Sequence, residues 1–190
     1  GPKKSGSERG MFPMYQAGDI VIYGMTGACR VEEVSPMARP GVGRNQLYYT
    51  LMPLYQRQCT IHTPVDNPKV AMRPAISKEE AERLIDLIPS IQVEPYHSRA
   101  NNDLTEHYNA TLKSHDCTDL LELTMSIYAK KQEAEGSKRK FGVVDERYLR
   151  QAEELLFGEL AVALELHREE VPAYIAARLE ASQKMEGVER

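Results

Sequence analysis

Five histidines and three cysteines are the side chains of this 190-residue chain best suited to metal or nucleophilic chemistry. His62, His97, His107, His115 and His167 are scattered, and Cys29, Cys59 and Cys117 are odd in number and far apart. A disulfide framework or a zinc centre needs cysteines at short, repeated intervals. Cys59 and His62 have the C-x-x-H spacing, yet on a strand residues i and i+3 point to opposite faces, so they do not converge on a metal. His115 and Cys117 flank a helix start with no partner cluster. There is no glycine-rich phosphate loop, no G-x-S-x-G and no H-E-x-x-H. Glu165, Glu169 and Glu170 would hold a metal only if folding brought a histidine to them. The chain is therefore expected not to be an enzyme: no catalytic residue, cofactor, metal or small-molecule substrate.

The basic residues are more informative. Lys130-Lys131 end a helical stretch, Lys138-Arg139-Lys140 follow, and Arg147 and Arg150 come next, with Glu133 and Glu135 between the first two groups. Cations after a helix are favoured by its macrodipole, by about 0.3–1 kcal/mol each. The loop is thus either solvated or a phosphate contact. A net charge of −4 excludes binding to nucleic acid by bulk attraction. Any DNA contact must be few-membered and local, or held in place by another protein. The last 40 residues carry nine acidic side chains against four basic ones and should repel DNA.

Two groups of elements must position these residues. Hydrophobic content of 42% and charged content of 27% suit a soluble globular protein. No apolar run approaches the roughly 18 residues of a membrane span, and no signal segment is seen, so a cytoplasmic location is expected. Residues 1–10 (GPKKSGSERG) read as an expression remnant, with the natural start at Met11 or Met14. From 14 to 70 the pattern is that of strands: Ile20 to Tyr23, Ala28 to Val34 with imperfect alternation, Leu47 to Leu51, and Cys59 to Thr63 stopped by Pro64. Gly24, Gly27, Pro36, Pro40, Gly41 and Gly43 mark turns, which suggests a small antiparallel barrel or curled sheet.

From 77 to 182 the period is helical. Ser77 and Glu80 fit a reciprocal capping box ahead of Ala81, Leu84, Ile85 and Ile88. Asp103, Asp116 and Asp145 are expected to cap three further helices. The second of these carries the stripe Leu120, Leu121, Thr124, Ile127 and Tyr128, and the third Leu149, Ala152, Leu155, Leu156, Leu160 and Leu164. A last segment starts near Glu169. The predicted class is α+β, a small β domain followed by an all-α domain.

The order of these motifs resembles a family. Gly18-Asp19-Ile20-Val21-Ile22-Tyr23 and Gly27-Ala28-Cys29-Arg30-Val31 are similar to the opening of CarD-like transcription regulators. So are Tyr48-Tyr49-x-Leu51, Ile61-His62-Thr63-Pro64-Val65-Asp66-Asn67, Arg73-Pro74-x-Ile76-Ser77-x-Glu79-Glu80-Ala81, Asp145-Glu146-Arg147-Tyr148 and Leu155-Leu156-Phe157-Gly158-Glu159-Leu160-Ala161. The likeness spans about residues 14–180. It implies a Tudor-like barrel, shared with the transcription-repair coupling factor, that binds the β subunit of RNA polymerase strand to strand. Ile61, His62 and Thr63 take the place of the polymerase-binding strand, with His62 where relatives are basic. Met37 and Arg39 are further implied contacts, in a Ser35 to Arg44 loop that replaces a shorter turn.

The resemblance also implies that the helical domain meets promoter DNA at the upstream edge of the melted bubble, independently of sequence and weakly on its own. Relatives wedge a Trp there, and this chain has none. Aligned on Tyr108-Asn109-Ala110-x-Leu112, Leu104 takes the wedge position, with Tyr96 a rival; read without the alignment, Leu104 is a first-turn core residue. The implied DNA set is Leu104, Tyr108, Asn109, Lys138, Arg139 and Lys140. The expected function is bacterial transcription regulation by stabilising the open promoter complex. The alternative is a polymerase-binding adaptor whose helical domain recruits another protein.

Overall fold

The computed structural model describes residues 14–38, 46–56, 58–66, 69–114 and 116–189, which fall into two compact units divided at Ala75/Ile76. The first unit is a sheet of five antiparallel strands: β1 (Ile20–Tyr23), β2 (Gly27–Met37), β3 (Gln46–Pro53), β4 (Ile61–Pro64) and β5 (Met72–Pro74). Their order is β4-β3-β2-β1-β5. Val21, Cys29, Val31, Tyr49 and Leu51 project to one face and, with Tyr15, form its core. β2 alternates imperfectly because its register against β3 shifts between Val31 and Glu33, a bulge that restores apolar Val34 opposite Tyr49.

The expected barrel is an open sheet. β4 and β5 are its edges, and no pairing joins them among the described residues. Closure needs edge strands long enough to stagger and pair, whereas these have four and three residues. β5 was hidden in the sequence by its brevity and Pro74. Its place beside β1 depends on Gly24, whose amide donates to Ala71 O at 2.9 Å. Gly24 has φ +47, and a Cβ there would lie 2.5 Å from Val70 Cγ1, so no other residue fits without a shift.

The second unit has five helices: α1 (Lys78–Leu87), α2 (Asn101–Ser114), α3 (Cys117–Gly136), α4 (Val143–Leu164) and α5 (Val171–Glu189). α4 is central, packing against the other four, and its buried row runs Tyr148, Leu149, Ala152, Leu156, Leu160, Ala161 and Leu164. Glu159 on this row is fully buried, and its carboxylate accepts the Ile76 amide at 3.0 Å. That bond ties the first residue of the unit to its central helix. Tyr128, expected on the apolar stripe of α3, is 48% exposed. The stripe passes through Leu120, Leu121, Leu123, Thr124 and Ile127 instead.

Three caps depart from expectation. Ser77 accepts the Glu80 amide at 3.1 Å, but the Glu80 carboxylate turns to Arg83, at 2.6 and 2.9 Å, so the box is not reciprocal. α2 begins at Asn101, two residues before Asp103. α4 is capped at Gly142 without a side-chain bond, and Asp145 lies inside the helix, buried. Asp116 does cap α3, accepting from the Thr118 amide at 2.7 Å.

α1 and α5 are joined by Arg178, whose guanidinium donates to Asp86 at 2.7 and 2.9 Å and lies 3.5 Å from Glu82. The bond from Arg178 holds the Asp86 carboxyl below the usual carboxylate range. A carboxyl whose folded value is depressed adds stability above its unfolded value of about 4. That stability is lost as pH falls through the folded value. Because Asp86 is about half exposed, solvent screening limits the pair to about 0.5–1 kcal/mol. Arg178→Ala should lower stability by that amount at neutral pH, and melts in strong acid should show the two proteins converging.

Glu165 ends α4 in the left-handed region at φ 56, with the Leu166 amide bonded back to Ala161 O at 2.9 Å. Glycine is favoured at this position because a Cβ is strained there. Glu165→Gly should raise the unfolding free energy by about 0.5–1 kcal/mol in a denaturant titration.

Candidate functional site

Two surfaces carry the residues singled out in the sequence, one on each unit. The first is the outer edge of β4. In an antiparallel ladder, hydrogen-bonded and non-bonded pairs alternate. The Val65 amide donates to Leu47 O at 2.9 Å, so Leu47 and Val65 are a bonded pair. Counting along the register, Tyr49/Thr63 and Leu51/Ile61 are bonded too, and Thr50/His62 is not. The N–H and C=O of His62 therefore point away from β3, to the open edge. Pro64 has the same parity but contributes only a carbonyl.

Side chains divide likewise. His62 is exposed, with Nδ1 3.2 Å from Thr50 Oγ1. Ile61 packs against the sheet core and Thr63 is buried, so neither side chain is available to a docked strand. Met37 is half-buried at the end of β2, two strands in from this edge, and Arg39 lies outside the described residues. Cys59 sits in a turn before β4, its amide on Gln56 O at 3.0 Å, and not on the strand as expected. Among the described residues no group of three or more His, Cys, Asp or Glu could hold a metal ion. Burial pushes the Cys29 thiol up to about 12, which keeps it protonated.

Residues 15–76 match the family model of the CarD-like/TRCF RID domain. The N-terminal unit is a CarD-like/TRCF RID domain. This gives the chain an RNA-polymerase-interacting, transcription-related role. The match ends where the helical unit begins, and no curated protein matches the chain. No helix among the described residues is long and apolar enough to cross a membrane.

The second surface lies on the helical unit that follows the RID domain, where α3 turns into α4. α3 closes with the Arg139 amide on Ala134 O at 2.9 Å and Lys138 in the left-handed region at φ 57. Lys138, Arg139 and Lys140 are all exposed. Beneath them the buried Asp145 accepts from Lys130 Nζ at 3.0 Å and from Tyr108 Oη at 2.5 Å. Burial first, and then this bond, raise the Tyr108 hydroxyl far above its ordinary value, so it stays a donor. Gly142 matters here for space: a Cβ on it would lie 3.2 Å from Asp145 Oδ2. Arg139, Lys140 and His97 line a cleft of about 130 Å³ over the Lys130–Asp145 pair.

The proposed wedge at the start of α2 is corrected. Leu104 is 5% exposed and Tyr108 1% exposed, and both belong to the helical core. A wedge must present an apolar tip to the groove, and these side chains have no surface to give. Asn109 is half-buried and accepts the Tyr148 hydroxyl at 2.9 Å. The rival Tyr96 is also engaged: its ring stacks on His107 at 3.7 Å and its hydroxyl donates to Asp103 at 2.7 Å. Of the six residues named for DNA, the structure brings Lys138, Arg139 and Lys140 together at the surface and sends the other three inward. Sequence reasoning missed Asp145 as a buried acceptor. A carboxylate three residues past a possible cap looks the same whether it bonds the helix end or a lysine on another helix.

Removing the Asp145 carboxylate leaves Lys130 and Tyr108 buried without a partner. Asp145→Ala should therefore cost about 3 kcal/mol in chemical denaturation. Lys140→Ala, at an exposed site, should stay within about 0.5 kcal/mol of wild type.

Proposed function

We propose that the chain is a non-enzymatic transcription regulator that docks on the β subunit of RNA polymerase through the β4 edge and stabilises the open promoter complex with its helical unit. The observation that carries the reading is the unpaired edge at His62. An exposed edge with one donor and two acceptors is a template for strand addition, and it lies within the RID domain. Lys138, Arg139 and Lys140 supply the DNA contacts. Three phosphate contacts are weak alone, but docking on polymerase raises the local concentration of the helical unit at the promoter. Such contacts hold the backbone and read no bases.

His62→Pro tests the docking directly. It deletes the outward amide while leaving the bonds from Thr63 and Ile61 to β3 intact, and proline is tolerated on edge strands. A pull-down with purified β subunit should retain wild type and lose His62→Pro. Equal retention would remove the edge from the reading.

The burial of Leu104 favours one second reading, a polymerase-bound adaptor whose helical unit recruits another protein. Salt separates the two. Each phosphate contact adds about 0.9 to the slope of log affinity against log salt, so changing Lys138, Arg139 and Lys140 together to Ala should remove about 2.7 from that slope. An adaptor would show no DNA slope to remove.

A further inference from the structure

Beyond the basic loop, α4 carries a row of its own. Val143, Arg147 and Arg150 stand at i, i+4 and i+7 and so share one helix face, and all three are exposed. Val143 is 77% exposed, whereas its neighbours Phe141 and Val144 pack against the helical core. A β-branched residue so exposed at the first position of a helix gains nothing from the fold itself. The Arg147 guanidinium lies 5.1 Å over the Tyr148 ring, and neither Arg147 nor Arg150 makes an ion pair among the described residues. Glu146 flanks the row, and exposed Glu154, one turn further along the same face, ends it.

We infer that this row is the second half of the DNA-contact surface. Arg147 and Arg150 would each meet a phosphate beyond those reached by Lys138, Arg139 and Lys140, and Val143, between the two cation groups, would pack against the groove edge. The inference rests on the DNA reading of the loop. Charge complementarity and shape choose the occupant. Three loop cations followed by two on one helix face suit a rod of phosphates. From Val143 to Arg150 the helix rises about 10 Å, close to the axial rise of three nucleotides on one strand. An anionic membrane would call for a broad apolar face beside the cations. Here the row holds a single valine and is closed by Glu154.

The test is fluorescence anisotropy of a short labelled duplex with the full chain over a series of salt concentrations. Arg147→Ala with Arg150→Ala should lower the salt slope by about 1.8. Val143→Ser should weaken binding several-fold at one salt concentration and leave the slope unchanged. A double arginine variant with the wild-type slope, while the Lys138-Arg139-Lys140 variant still loses its share, would overturn the row and leave the loop standing. A wild type that does not bind the duplex, or a loop variant that binds as wild type does, would overturn the DNA reading itself. Binding to phosphatidylserine vesicles in preference to the duplex, abolished in the double arginine variant, would overturn DNA as the occupant. Melting curves matching wild type establish that each variant is folded.

Discussion

The carboxylate of Asp145 holds the helical unit to one arrangement. It sits on α4, accepts from Tyr108 on α2 and from Lys130 on α3, and is almost wholly buried. A buried carboxylate is costly unless its charge is matched and its lone pairs are used, and these two donors meet both needs. Because all three partners come from different helices, the pair is satisfied in only one packing of α2, α3 and α4. The loop between α3 and α4 is short and starts about two helical turns past the lysine, so its cations are carried to the surface by the same arrangement. A charge buried below and charges exposed above are two consequences of one corner.

The RID domain solves a different problem, how to keep an edge open without inviting indiscriminate pairing. β5 forms one edge with only three residues, one of them a proline, and β4 forms the other with four. Only His62 presents both backbone groups outward, because parity turns Ile61 and Thr63 back to β3 and Pro64 has no amide. On the docking proposed above, a window this short would give main-chain bonds to a matched strand while offering little to another sheet. Ile61 and Thr63 matter to it as anchors: by burying their side chains they fix the register that aims His62 at the edge.

The net charge and the basic corner fit together on this view. An acidic chain repels bulk nucleic acid, so the exposed cations bind DNA weakly until another contact raises their concentration at it. Five exposed cations on the loop and on α4, with an acidic C-terminal region elsewhere, give an interaction that tethering strengthens.

Much of the architecture was legible from residue order alone. β-branched and aromatic runs between glycine and proline turns located β1, β3 and most of β2, and the cap at Asp116 located α3, because these signals act within a few residues of the chain. The exposed basic triplet was legible for the same reason: a loop between two helices stays at the surface. Tertiary structure alone decided the rest. Whether Leu104 and Tyr108 face solvent or core, whether Asp145 caps a helix or anchors a lysine, and which residue of β4 aims its backbone outward all depend on partners such as those 15 and 37 residues from Asp145 or in a neighbouring strand. An amphipathic pattern says that a face will be buried, but the energy that assigns each residue to it comes from what packs against it. That information is not local to any stretch of the sequence.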